Sequence, residues 1–208
     1  MDMLDHAITA FDELREHIGE PRQAVRDKQL DHLDRHCRDF IARSPIALLA
    51  TADAGGRRDC SPRGGPPGFA RVLDERRLAI PDYTGNRRQD SHVNLLENPH
   101  VGLLFLLPGM GETLRVNGRA YISTAPKLLE RFIMGNKLPR SVIVVEVDTV
   151  FFQCSKAIMR SKLWDASRHI DRKSLPSTGT ILADVSNSRI VAEDYDKAAP
   201  ERLKATMY

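Results

Sequence analysis

The chain reads as mainly β with peripheral helices, an α+β fold of six or seven antiparallel strands. Three observations predict it. From Ile46 onward, short β-type runs recur between turn signals, as in Ile46-Ala47-Leu48-Leu49-Ala50-Thr51 followed by Asp53-Ala54-Gly55-Gly56. Thr113 to Ser123 alternates, with Leu114, Val116, Gly118 and Ala120 set against polar neighbours. Val101 to Leu107 is apolar throughout, as a central strand covered on both faces would be. Curling such strands into a closed or half-closed barrel removes exposed edges.

Helices come first in the chain. Leu4, Ile8, Phe11, Leu14 and Ile18 recur at helical spacing over residues 2–18, and Gly19-Glu20-Pro21 ends that helix. A second helix is predicted from Arg26 to Arg43, with Leu30, Leu33, Cys37, Phe40 and Ile41 inward and Ser44-Pro45 as its stop. The strand at Ile46 then turns back through Arg57 to Arg63. Phe69 to Leu73 and Leu78 to Ile80 flank the charged turn Asp74-Glu75-Arg76-Arg77 as the next hairpin. A helix is predicted over Gln89 to Glu97, and the apolar strand Val101 to Leu107 follows. Pro108-Gly109-Met110-Gly111 turns into the Thr113 strand. Ala125 to Met134 is a short helix, and Ser141 to Cys154 is a long strand rich in Val, Ile and Phe. Lys156 to Trp164 reads as a strand end or a turn of helix, and Thr180 to Asp184 as the opening of a last helix. Residues from about 186 to 208 are polar and expected to be loosely held.

Composition excludes several function classes. The 208 residues carry a net charge of +3, with basic residues dispersed rather than gathered in a stripe, so no nucleic-acid partner is expected. No apolar run approaches the roughly 20 residues that span a bilayer, and no membrane partner is expected. Met1-Asp2-Met3-Leu4-Asp5-His6 lacks the basic start and apolar core of a signal peptide. Cys37, Cys60 and Cys154 are odd in number and far apart, which fits a reducing cytoplasm. His32 and His36, with Asp31 and Cys37 nearby, have a spacing that can bind a metal. The same spacing describes the solvated face of an amphipathic helix, and no metal site is expected. His92 lies within the predicted 89–97 helix and His100 just beyond it, and they are expected on its surface or at its cap.

The chemistry concentrates after one strand. Leu78-Ala79-Ile80-Pro81-Asp82-Tyr83-Thr84-Gly85-Asn86-Arg87-Arg88 runs from an apolar strand through a Gly-Asn turn to two adjacent arginines at a helix start. Backbone N–H groups and the positive end of the dipole favour an anion there. Guanidinium forks match phosphate oxygens. Upstream, Asp59-Cys60-Ser61-Pro62-Arg63-Gly64-Gly65-Pro66-Pro67-Gly68 adds glycines that let a ligand approach the backbone, and another arginine. The pattern predicts a phosphorylated small molecule held at the end of a β-strand.

These residues carry a resemblance. The strand–Gly-Gly–strand hairpin, Ser61-Pro62-Arg63-Gly64, Pro81-Asp82, Asn86-Arg87-Arg88, the strand Val101 to Leu107 and Leu114-Arg115-Val116-Asn117-Gly118-Arg119-Ala120 occur in this order. So arranged, the chain resembles the pyridoxamine 5′-phosphate oxidase-related family of FMN-binding split barrels, over about residues 25–185. The tail Cys154-Ser155-Lys156-Ala157 with Arg160-Ser161-Lys162-Leu163-Trp164 is similar to that of one subgroup. The resemblance implies a six- or seven-stranded antiparallel split barrel over 25–185, preceded by a helical extension over 1–24 and followed by a tail over 186–208.

It also implies a cofactor, FMN. By correspondence of position, Ser61, Pro62, Arg63 and Gly64 line the flavin, Pro81 and Asp82 replace a Tyr-Thr pair, and Arg87 and Arg88, beside Asn86, hold the phosphate. A glutamine that reaches the flavin in the family falls near Thr113. The family's apolar run ending in lysine, which shapes the vitamin B6 pocket, is missing, and Trp164 stands in a different context from the family's C-terminal tryptophan. The resulting expectation is a homodimeric, cytoplasmic FMN oxidoreductase acting on an unidentified small molecule, with NAD(P)H or another compound as the electron donor. The other expectations are a flavin- or haem-binding module without turnover and a deazaflavin-dependent reductase. No catalytic nucleophile constellation stands out in the sequence.

Overall fold

The computed structural model describes residues 3–83, 85 and 87–207; Thr84 and Asn86 of the predicted phosphate loop lie outside the described residues. In chain order the elements are α1 Phe11–Ile18, α2 Gln23–Asp27, α3 Arg35–Arg43, β1 Ile46–Ala52, β2 Arg58–Gly64, β3 Arg71–Val72, β4 Arg77–Asp82 and α4 Asp90–Glu97. There follow β5 His100–Leu106, β6 Thr113–Ser123, α5 Pro126–Leu129, β7 Ser141–Gln153, α6 Lys156–Ser161, α7 Thr178–Val185 and α8 Ala192–Ala205.

The seven strands form one antiparallel sheet in the order β2-β1-β5-β6-β7-β4-β3. Its edges are β2 and β3, so backbone pairing does not close it into a ring. The fold class is therefore the antiparallel, helix-flanked sheet the sequence predicts, in its open form.

Burial explains the strand patterns. One face packs Leu33 and the α3 residues Cys37, Phe40 and Ile41 against Leu49, Leu103, Phe105, Leu114, Val116, Val145 and Val150. On the other face, Val142 and Val144 of β7 pack with Ala79, Phe132 and the partly buried Leu128 and Leu129. With both faces covered, the start of β7 is continuously apolar rather than alternating. A bulge at Asn117/Gly118 brings β6 so close to β7 that a Cβ on Gly118 would meet the Glu146 carbonyl oxygen.

Three helical predictions change. The helix expected over 26–43 is two pieces, α2 and α3, because Leu30 leaves helical bonding to pair its backbone with Val150, and Asp34 then caps α3 by accepting from Cys37 N at 2.8 Å. The helix expected over 2–18 is a 3-10 turn at Met3–His6 followed by α1. Past residue 186, where the sequence reads as loosely held, α8 forms, and its Asp196 accepts from Gly179 N of α7 at 2.8 Å. Among the described residues, no helix is long and apolar enough to cross a membrane.

Candidate functional site

The edge strand β2 supplies the first wall. Asp59, Ser61 and Arg63 alternate with more exposed neighbours and so share the inward face of the strand. Against them lies the first turn of α4, which buries Ser91, His92 and Leu95 on its inward side. Ser91 Oγ joins the two. It donates to Asp59 Oδ2 at 2.8 Å, accepts from Arg63 Nη2 at 3.0 Å and lies 3.1 Å from Ser61 Oγ. A hydroxyl has one hydrogen and two lone pairs, so this buried group is fully used.

The end of β4 supplies the second wall. Asp82 pairs with Ser141 across the ladder, and its carbonyl accepts from Arg140 N at 2.8 Å. The Asp82 carboxylate is 3.9 Å from Arg63 Nη1 and 3.8 Å from His92 Nε2. Tyr83, next in sequence, donates its hydroxyl hydrogen to Phe132 O at 2.6 Å.

Between these walls is a cavity of about 370 Å³, reached by Arg63, Arg87, Arg88, Arg140, Ser61, Ser91 and His92 among others. Its size falls in the range of about 300–1,000 Å³ usual for small-ligand sites. The lining holds four arginines against the carboxylates of Asp59, Asp82 and Asp90. Arg87 and Gln89 have left-handed backbones, at φ 62° and 56°, which bend the chain into α4. Arg87 has no side-chain partner among the described residues. Arg88 bonds Asp90 through Nε.

Burial lowers the His92 pKa, Arg63 lowers it further, and Asp82 opposes both. Imidazole Nδ1 and Arg63 Nε are buried without a hydrogen-bond partner among the described residues. The site thus combines an unused guanidinium donor, a ring whose neutral form is favoured and an excess of positive charge, which suits an anionic ligand.

Of the residues singled out in sequence, Ser61, Pro62, Arg63, Asp82, Arg87 and Arg88 line this cavity. Gly64, Pro81 and Thr113 are not among its lining residues. Gly64 packs against Pro45, Pro81 is buried opposite Val142, and Thr113 is buried opposite Leu106 and Gln153. Trp164 donates to Met110 O at 2.7 Å, on the β5–β6 turn, while Tyr83 borders the cavity. Cys37 is buried in the core, and His32 bonds Asp31 instead of facing it. His100 is exposed and bonds Asn98.

Sequence reasoning missed Ser91, Arg140 and the burial of His92. His92 was expected on the helix surface, but α4 buries Ser91, His92 and Leu95, with Ser91 bonded to β2 and His92 beside Asp82 and Ser141. The available signal was the Asp-x-Ser-x-Arg alternation of β2, a polar strand face that needs a polar partner.

A family model described as pyridoxamine 5′-phosphate oxidase matches residues 33–154. Compared with curated proteins, the chain matches none. Among solved structures, the chain is similar to Group A Streptococcus HupZ, with 22% identity, a TM-score of 0.48, and 59% of this chain and 94% of that one covered. It is similar to a Lactobacillus delbrueckii protein described as a pyridoxamine 5′-phosphate oxidase, with 20% identity, a TM-score of 0.47, and 60% and 98% covered. It is also similar to an F420 reductase, with 18% identity, a TM-score of 0.39, and 56% and 94% covered.

Proposed function

Since this chain belongs to the pyridoxamine 5′-phosphate oxidase family, we propose that it is an FMN-binding flavoprotein, an oxidoreductase acting on a small molecule. The observation that carries this reading is the cavity where Arg87, Arg88 and the start of α4 face the inward side of β2. A phosphate monoester carries about −1.5 to −2 charge near neutral pH, and the arginine excess of the lining suits it.

Arg87, free of side-chain partners among the described residues, and Arg88 hold the phosphate beside the α4 N-terminus. Ser61, Pro62 and Arg63 border the flavin; β2 is an edge strand, so one row of its backbone groups is open to a ligand. FMN, when bound, supplies hydride and single-electron chemistry. The remaining polar residues keep the site in shape: Ser91 holds Asp59 and Arg63, and Asp82 holds Arg63 toward the cavity. A second subunit covers the open β2 side in a homodimer, and NAD(P)H is the electron donor.

Purification tests the reading. A yellow protein with near-equimolar FMN, reduced on addition of NADH or NADPH, is the expected result. A colourless protein that does not take up added FMN overturns it. A Soret band assigns the cavity to haem, and bound deazaflavin assigns it to that cofactor. FMN that no nicotinamide and no reductase reduces makes the protein a binding module.

A further inference from the structure

Asp82 stands between two basic groups at nearly equal distance. Its Oδ1 is 3.9 Å from Arg63 Nη1 and its Oδ2 is 3.8 Å from His92 Nε2. All three side chains are largely withdrawn from water, at 21% exposure for Arg63, 14% for Asp82 and 9% for His92. One carboxylate therefore serves two candidate cations.

Only Arg63 is permanently charged. Burial and, more weakly, the neighbouring guanidinium favour the neutral form of the His92 ring, against the pull of Asp82. The tautomer with hydrogen on Nε2 turns that hydrogen toward Asp82 and toward Ser141 Oγ, 3.4 Å away. It leaves the Nδ1 lone pair unused, and Nδ1 is the buried atom without a partner among the described residues. Without ligand, Arg63 and Asp82 balance each other and His92 carries no charge.

An anion in the cavity upsets this balance. Drawn to the arginines, it takes up positive charge that Asp82 otherwise shares. A buried carboxylate short of its counter-ion is costly. One proton on His92 Nδ1 restores the balance, because the imidazolium then pairs with Asp82 through Nε2. We propose that an anion enters this cavity together with one proton, and that His92 is the residue that binds the proton. The proton comes from solvent, and the only bond formed is N–H.

The charges around the ring support this direction. From β4 there is Asp82, from β2 Arg63 and, beyond Ser91, Asp59, and from the β7 side Ser141 and Arg140. The segment entering α4 adds Arg87, Arg88 and Asp90. Asp59 and Asp90 are bonded to Ser91 and Arg88, so Asp82 is the carboxylate placed to receive an imidazolium. The ligand's charge offsets the arginines that oppose protonation.

The inference rests on the FMN reading of the same cavity, and FMN is the probe. Calorimetric titration near pH 7 in two buffers of different ionisation enthalpy counts the protons exchanged. The parent protein is expected to take up as much as about one proton more per FMN than His92→Gln, with Asp82→Asn matching His92→Gln. Parent affinity should fall with rising pH by up to about tenfold per pH unit relative to His92→Gln. That comparison removes the ligand's own phosphate ionisation. Equal proton numbers in parent and variants overturn the inference and leave the FMN reading standing. Failure to bind FMN at any pH overturns both. If the variants do not fold, ring C–H resonances of the seven histidines are followed in the parent. One titration midpoint rising on FMN addition supports the inference; seven unchanged midpoints overturn it.

Discussion

Arg63 donates through Nη2 to Ser91 Oγ at 3.0 Å, and this bond ties the edge strand β2 to the first turn of α4. Edge strands have a neighbour on one side only, so β2 depends on such side-chain ties to hold its inward face in register with the helix. Ser91 is 1% exposed and serves Asp59 and Arg63 at once. Ser91→Ala leaves both without a partner at that point. The expected loss is about 1–3 kcal/mol of stability, seen as a fall of several degrees in Tm. FMN affinity should fall with it, whereas Ser91→Thr, which keeps the hydroxyl, should recover part of both. Thermal melts and a fluorescence titration of the two variants check this.

Arg87 and Arg88 can be separated from the rest of the site by comparing two ligands. Arg87→Ala or Arg88→Ala should weaken FMN by about ten- to a hundredfold, the effect of losing one charge-assisted contact of roughly 1.5–3 kcal/mol. Riboflavin, without a phosphate, should be nearly unaffected. Asp90→Asn tests the competing carboxylate. Asp90 holds Arg88 through its Nε, so removing its charge should tighten FMN binding several-fold. Equal losses for FMN and riboflavin would show that these arginines do not hold the phosphate.

Gly118 sits at the β6 bulge facing the Glu146 carbonyl. The obstruction is backbone of the central strand β7, which cannot swing aside as a side chain can. Gly118→Ala should therefore cost about 3 kcal/mol or more. Denaturant titration measures this directly; a midpoint unchanged from the parent would contradict the close approach of β6 and β7.

The three cysteines should differ in reactivity. Cys37 is buried, and loss of solvation pushes its thiol up to about 12, with the Asp34 carboxylate adding to the rise. Cys60 and Cys154 are exposed. A thiol reagent should titrate two groups in the native protein at pH 8 and three after denaturation. The sign of the pH effect follows. From about 9.0, where an ordinary thiol ionises, up to about 12, the native state keeps a proton that the unfolded chain releases. Stability contributed by Cys37 is present below that window and is lost as pH rises through it.

Much of this architecture was legible in the sequence because its signals are local. The Asp53-Ala54-Gly55-Gly56 turn closes the first hairpin, the alternation of Leu114, Val116 and Ala120 reflects how β6 meets its two faces, and the apolar run Val101 to Leu107 marks β5, although its residues alternate between buried and half-buried rather than being covered on both faces. The two adjacent arginines were picked out by the same local logic, and both line the cavity. The break in the 26–43 helix was not local. It depends on Leu30 finding Val150, 120 positions along the chain, and a helical apolar spacing contains no record of that pairing.

By itself, then, the sequence determined an antiparallel sheet of six or seven strands, the arginine pair Arg87 and Arg88 beyond β4, and the polar alternation of β2. Those follow from backbone propensity, side-chain periodicity and turn chemistry, all of which act over a few residues. Tertiary structure alone decided which polar groups meet. Asp59, Ser61 and Arg63 reach Ser91, and Asp82 comes to lie between Arg63 and His92, only because the folded sheet brings β2 and the end of β4, separated by four strands in sheet order, to the first turn of α4. The same packing turned His92 inward and took its water away, and that desolvation makes a histidine with no distinguishing sequence signal the neutral ring at the floor of the site.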